Sequence, residues 1–157
     1  MNRSPAPAQS NRQVWLIIFG ALVCSVLIYG LLCFFLEHSK SPRTTNPASL
    51  AQLRPFIIGL AVIMLIASVA WLRFKVDGKI GGEGRPVTIT PPEFQSDSIV
   101  ALALSEACAI FGLMLFFLGA PLQEFAFFAA GTLLVDFAFI LPRGLQFWSA
   151  MDGRGNF

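Results

Sequence analysis

The sequence predicts an all-α membrane protein: a bundle of four transmembrane helices with both termini in the cytoplasm. Three observations carry this expectation. Four apolar runs, each near the length of a spanning helix, are set between polar connections. Across 157 residues, 55% are hydrophobic and only 13% charged, too few charges to clothe a water-soluble domain of this size. Lys and Arg are also spread unevenly over the connections, which is the signal that sets membrane orientation.

The first run, residues 14–36, reads VWLIIFGALVCSVLIYGLLCFFL. It follows Arg3 and Arg12, as the apolar part of a signal peptide would. It is too long for that role, and LEHSK after it offers no small-residue cleavage site. It is read as a retained helix. The second run is 55–72, PFIIGLAVIMLIASVAWL, the third 98–119, SIVALALSEACAIFGLMLFFLG, and the fourth 122–141, LQEFAFFAAGTLLVDFAFIL. At 1.5 Å per residue each approaches the roughly 30 Å of bilayer hydrocarbon. The whole chain, 1–157, is expected to form one integral membrane domain.

The connections explain the orientation. Residues 73–97 form the largest, expected to be cytoplasmic, with turns at Gly78, Gly81, Gly82 and Gly84. Pro91-Pro92 is expected to break any helix before the third span, with Asp97 or Ser98 as its N-cap. Arg3, Arg12, Arg73, Lys75, Lys79, Arg85, Arg143 and Arg154 then share one side, against Lys40, Arg43 and Arg54 on the other. The positive-inside rule puts the richer side in the cytoplasm of a bacterial cell, in its inner membrane. Trp15, Trp71 and Trp148 sit at run edges, where interfacial belt aromatics are expected. Gly119-Ala120-Pro121 joins the last two runs as a tight antiparallel hairpin, and Glu124 follows in the first turn, where the helix dipole favours an anion.

Several chemistries are excluded by pattern. Lys79 is followed by Ile80 in GKIGGEG, so the phosphate-loop spacing fails. His38 is the only histidine, at the end of the first run, and completes no metal or catalytic set. Cys24, Cys33 and Cys108 stand in apolar runs at no ligand spacing and read as small hydrophobes. A net charge of +2 with no basic stripe excludes nucleic acid as a partner. The expectation is therefore no enzyme activity, no metal and no cofactor. The partners expected are the lipid bilayer and other membrane subunits, or a second copy of the chain.

Two acids lie well inside apolar runs: Glu106 and Asp136. A charged group at that depth is expensive and is a functional candidate by default. Counted from the run ends, both lie in the cytoplasmic half at similar depth. Should their faces meet, they could share a proton or hold a cation. Ala101, Ser105, Ala109 and Gly112 make a small-residue stripe beside Glu106, and Ala129, Thr132 and Asp136 share a face in the fourth run. Such stripes let membrane helices approach closely. The alternative is structural: Arg143 leaning back on Asp136, or Arg73 on Glu106.

The stretch SEACAIFGLMLFFLG resembles the ion-binding helix of the rotor-ring proteolipid, subunit c of rotary ATP synthases. Glu106 takes the place of the ion-binding carboxylate, and Ile110, Phe111, Gly112 and Leu113 that of the Ile-Tyr-Gly-Leu-like step. The resemblance covers one helix, lacks the glycine-repeat partner helix, and implies a proton or sodium site at Glu106. The overall plan also resembles short, uncharacterised four-helix bacterial membrane proteins, which implies no activity. Two functions are thus expected: an accessory or interaction subunit of a membrane complex, or a proton- or cation-binding proteolipid using Glu106 with Asp136.

Overall fold

The computed structural model describes residues 7–39, 47–80 and 88–152. Arg3, Lys40, Arg43, Gly81, Gly82, Gly84, Arg85 and Arg154 lie outside the described residues. Among the described residues there are five helices: α1 (Pro7–His38), α2 (Pro47–Leu72), α3 (Pro91–Phe117), α4 (Leu122–Val135) and α5 (Leu141–Asp152). A π-helical turn, Arg73–Asp77, continues α2, and a second, Asp136–Ile140, joins α4 to α5. No strand occurs among the described residues. Among the described residues four helical stretches are long and apolar enough to cross a membrane: Asn11–His38, Ala51–Asp77, Pro91–Phe117 and Leu122–Met151.

The helices outrun the apolar runs, for reasons local to each end. α3 starts at Pro91, not at Asp97 or Ser98. Pro91 and Pro92 occupy its first turn, where a missing N–H costs nothing and a fixed φ is already helical. The Glu93 carboxylate reaches back to accept from the Thr90 backbone N–H at 3.1 Å and its hydroxyl at 2.9 Å. The prolines that were expected to stop a helix therefore begin one. α2 likewise starts at Pro47 and carries Pro55 within it.

At its other end α3 closes in a Schellman motif. Gly119, at φ 101°, adopts the left-handed conformation that a Cβ disfavours. Its N–H bonds Phe116 O at 3.0 Å, and the Ala120 N–H bonds Leu115 O at 2.9 Å. Pro121, in extended conformation, is then the N-cap of α4.

The fourth span does not end at Leu141. Pro142 has no N–H and would crowd the carbonyl four residues earlier in a regular helix. The chain absorbs it with the Asp136–Ile140 π-turn, in which the Leu141 N–H bonds Asp136 O. The helix then runs on to Asp152.

α3 is the central element and packs against α1, α2 and α4. One end of the bundle is an aromatic cluster: Phe94 stacks on Phe147 at 4.1 Å between centroids, with Trp15 and Trp148 against them. Trp15 is 0% and Trp148 1% exposed, so these two are core residues, not belt aromatics. Trp148 is reached only because α5 continues past Pro142; Trp15 is held by its indole N–H, which donates to Ser98 Oγ at 2.9 Å. The outward faces are apolar, with Ile17, Ile28, Phe35, Phe56, Ile63 and Phe127 exposed, as lipid-facing surfaces require.

Gly144 lies flat on the Trp15 ring: a Cβ there would come within 2.1 Å of it. Trp15 is enclosed and cannot move aside, so Gly144→Ala is expected to destabilise by about 1–3 kcal/mol. Gly59→Ala, where a Cβ meets nothing within 4 Å, is expected to be neutral. Thermal unfolding of both variants in detergent checks the contrast.

Candidate functional site

Glu106 and Asp136 both fall at mid-helix. With α3 starting at Pro91, Glu106 is about 22 Å from its first residue at 1.5 Å per residue, and Asp136 stands midway along Leu122–Met151. Both are therefore deeper than the apolar runs imply, and not confined to one half of the span.

Each carboxyl group is met by hydroxyls of a neighbouring helix. Glu106 Oε1 lies against the Ser25 hydroxyl and accepts from the Tyr29 hydroxyl at 3.2 Å. Ser25 and Tyr29 are one turn apart on α1, so they present a single face to α3. Asp136, 2% exposed, has its Oδ1 2.5 Å from the Ser105 hydroxyl of α3. Thr132, one turn before Asp136, donates to Ser105 O at 2.9 Å. Successive residues thus tie α3 in two directions. Positions 105 and 106 are about 100° apart around a helix, so Ser105 turns to α4 while Glu106 turns to α1.

For the same reason the two acids do not meet. No hydrogen bond joins them. The condition for a shared proton, that their faces meet, is not met; two separate acid–hydroxyl contacts are instead linked through α3.

The arginines are elsewhere. Arg143 Nη2 donates to Asp77 Oδ2 at 2.8 Å and its Nε donates to Oδ1 of the same carboxylate. The π-turn between Asp136 and Arg143 is wider than an α-turn, so residues seven apart no longer share a face. Arg73 does not reach Glu106. Ser68 donates to Ala101 O at 2.8 Å, and that antiparallel register sets Arg73 level with the first turns of α3, about 15 Å along the helix from Glu106.

The small-residue stripe lies inside. Ala101, Ser105, Ala109 and Gly112 are all buried on α3. A Cβ on Gly112 would come 2.7 Å from Phe128 Cβ, so this position sets the α3–α4 distance. Thr132 is buried with Asp136, while Ala129 packs against the separate Cys33–Phe116–Phe125 cluster. Cys108 is buried with its sulfur 3.8 Å from Phe128 O. His38 bonds Phe34 O at 2.9 Å and is exposed. Among the described residues no group of three or more His, Cys, Asp or Glu side chains could hold a metal ion.

Sequence reasoning did not single out Ser25, Ser68 or Asp77 and assigned Tyr29 no partner. The available signal was a hydroxyl pair at four-residue spacing in an otherwise apolar helix. It also left Arg54 in a loop, whereas it pairs with Glu124 at 2.6 Å, and Glu124 Oε2 is buried with no hydrogen-bond partner. No protein family, curated protein or solved structure matches the chain.

A double-mutant cycle of Asp77→Asn with Arg143→Gln is expected to give a coupling of about 0.2–1 kcal/mol that weakens with salt. The same cycle between Asp136→Asn and Arg143→Gln is expected to give none, as unfolding measurements will show. Ser105→Ala, which strips Asp136 of its hydroxyl, is expected to cost about 1–3 kcal/mol.

Proposed function

We propose that this chain is a small multi-pass membrane protein that holds protons at Glu106 and Asp136, and that it binds rather than catalyses. One observation carries the reading: a count of hydrogens. The Ser25 hydroxyl faces two acceptors, Glu106 Oε1 and, at 2.7 Å, Leu22 O of its own helix. The Ser105 hydroxyl faces Asp136 Oδ1 and, at 2.9 Å, Leu102 O. A hydroxyl has one hydrogen. A carboxylic acid that donates to each serine lets the serine donate onward to its own carbonyl, and every contact is satisfied. An ionised carboxylate would claim that hydrogen and leave the charge without a cation, which is costly away from water.

The proton site agrees with the resemblance of residues 105–119 to the subunit-c ion-binding helix, with Glu106 in the carboxylate's place. We place the protein in a bacterial inner membrane with both ends cytoplasmic, because the Lys and Arg of its connections collect on one side.

A second reading uses the same contacts. Ser25, Tyr29, Ser105 and Thr132 bridge α1, α3 and α4, and polar contacts of this kind lock membrane helices together. In that case the protein is an accessory or interaction subunit, and its broad apolar faces are open to other membrane proteins.

Infrared difference spectra separate the two. If protons are held, the carbonyl band of a protonated carboxyl is expected at neutral pH, reduced in Glu106→Gln and again in Asp136→Asn, and Glu106 is expected to react with a hydrophobic carbodiimide. Protection of that reaction by sodium would identify a cation site instead. Carboxylate bands alone, with an unreactive Glu106, leave the locking role, and co-purification in mild detergent would then name the partner.

A further inference from the structure

α2 and α4 both lie on α3 but touch each other sparingly, and an apolar groove is left between them. Its larger chamber, about 620 Å³, is walled by Leu65, Ile66, Val69, Ala70 and Val135 and ends at Arg73. A second chamber, about 320 Å³, continues from Leu65 past Phe127 to Arg54 and Glu124. Ile66 and Phe127 are largely exposed, so the groove opens outward. From Arg54 to Arg73 is about 28 Å of helix, close to the thickness of bilayer hydrocarbon.

The two ends differ in charge. Arg54 is neutralised by Glu124 at 2.6 Å. Arg73 is exposed on the groove with no carboxylate partner among the described residues, and nearby Asp77 is taken by Arg143. Side chains lean toward the N-terminus of their helix, which brings the Arg73 guanidinium back over the apolar wall. Lys75 follows two residues on, its ammonium 5.4 Å from the Trp71 ring centre. One end of a membrane-length apolar channel thus presents an unpaired cation, and the other does not.

We propose that this groove holds an anionic phospholipid, one acyl chain along Leu65, Val69 and Val135 and the phosphate on Arg73. The aliphatic wall supplies the chain contact. The guanidinium offers a phosphate paired hydrogen bonds, and the headgroup layer lies at that depth. A phosphate brings a negative charge to Arg73 at headgroup depth, which the apolar face of a second helix does not, and on that charge match lipid is the occupant proposed. The proposal does not depend on the protonation of Glu106.

The test uses the full chain in mild detergent with phosphatidylglycerol, phosphatidylcholine of the same acyl chains, or glycerol phosphate. Bound lipid is read by native mass spectrometry and stability by the unfolding midpoint. Phosphatidylglycerol is expected to be retained and to raise the midpoint more than phosphatidylcholine, and glycerol phosphate to do nothing. Arg73→Gln is expected to weaken phosphatidylglycerol about tenfold, the loss of one charged hydrogen-bonding partner, while Arg73→Lys keeps most of the preference. Ala70→Trp, which fills the groove and leaves the charge, is expected to expel both lipids. Equal retention of the two lipids, or unchanged phosphatidylglycerol binding by Arg73→Gln, overturns the proposal. So does a dimer cross-linked through Ile66→Cys, which would mean that a second copy fills the groove.

Discussion

Two acids at mid-helix that pair with no cation among the described residues must be satisfied by something else, and here it is hydroxyl groups. Ser105 and Glu106, adjacent on α3, reach in opposite senses: one to Asp136 on the fourth span, the other to Ser25 and Tyr29 on α1. Because α3 is the helix against which α1, α2 and α4 all pack, these contacts bind the bundle at its middle. Ser68, bonded to Ala101 O one turn earlier, ties α2 to the same helix. Satisfaction of buried polar atoms and the assembly of the helices are thus one constraint.

Two departures from regular helix position the parts. Gly119 reverses the chain in three residues, which brings Asp136 back to the level of Ser105. The π-turn at Asp136–Ile140 accommodates Pro142 and lets the helix continue, so that Phe147 and Trp148 meet Phe94 and Trp15. It also swings Arg143 away from Asp136 and onto Asp77. A straight α-helix would have placed a cation near the buried acid; the wider turn keeps that acid among neutral partners.

The two ends of the bundle differ in character. One is closed by stacked aromatics and the Asp77–Arg143 pair. The other is held by the Arg54–Glu124 pair, from which the apolar groove between α2 and α4 runs toward Arg73. The groove exists because α2 and α4 each satisfy their packing on α3 and have small side chains, Ala61, Ala70 and Gly131, where they pass each other.

Hydrophobicity summed over twenty residues is a property of composition, so the four apolar helices were legible from the sequence, as were the tight Gly119 turn and the presence of two acids inside apolar runs. The small-residue stripe was legible for the same reason, since spacing alone puts Ala101, Ser105, Ala109 and Gly112 on one face. Helix ends were not: Pro91 and Pro142 carry opposite meanings according to whether the chain before them is free or helical. Partners were least legible. Glu106 could face Arg73, Asp136 or Ser25 on helical spacing alone, and side chains about 100° apart on one helix reach different neighbours. Which hydroxyl meets which acid depends on the register and rotation of three helices at once, and those are decided only when the tertiary packing closes.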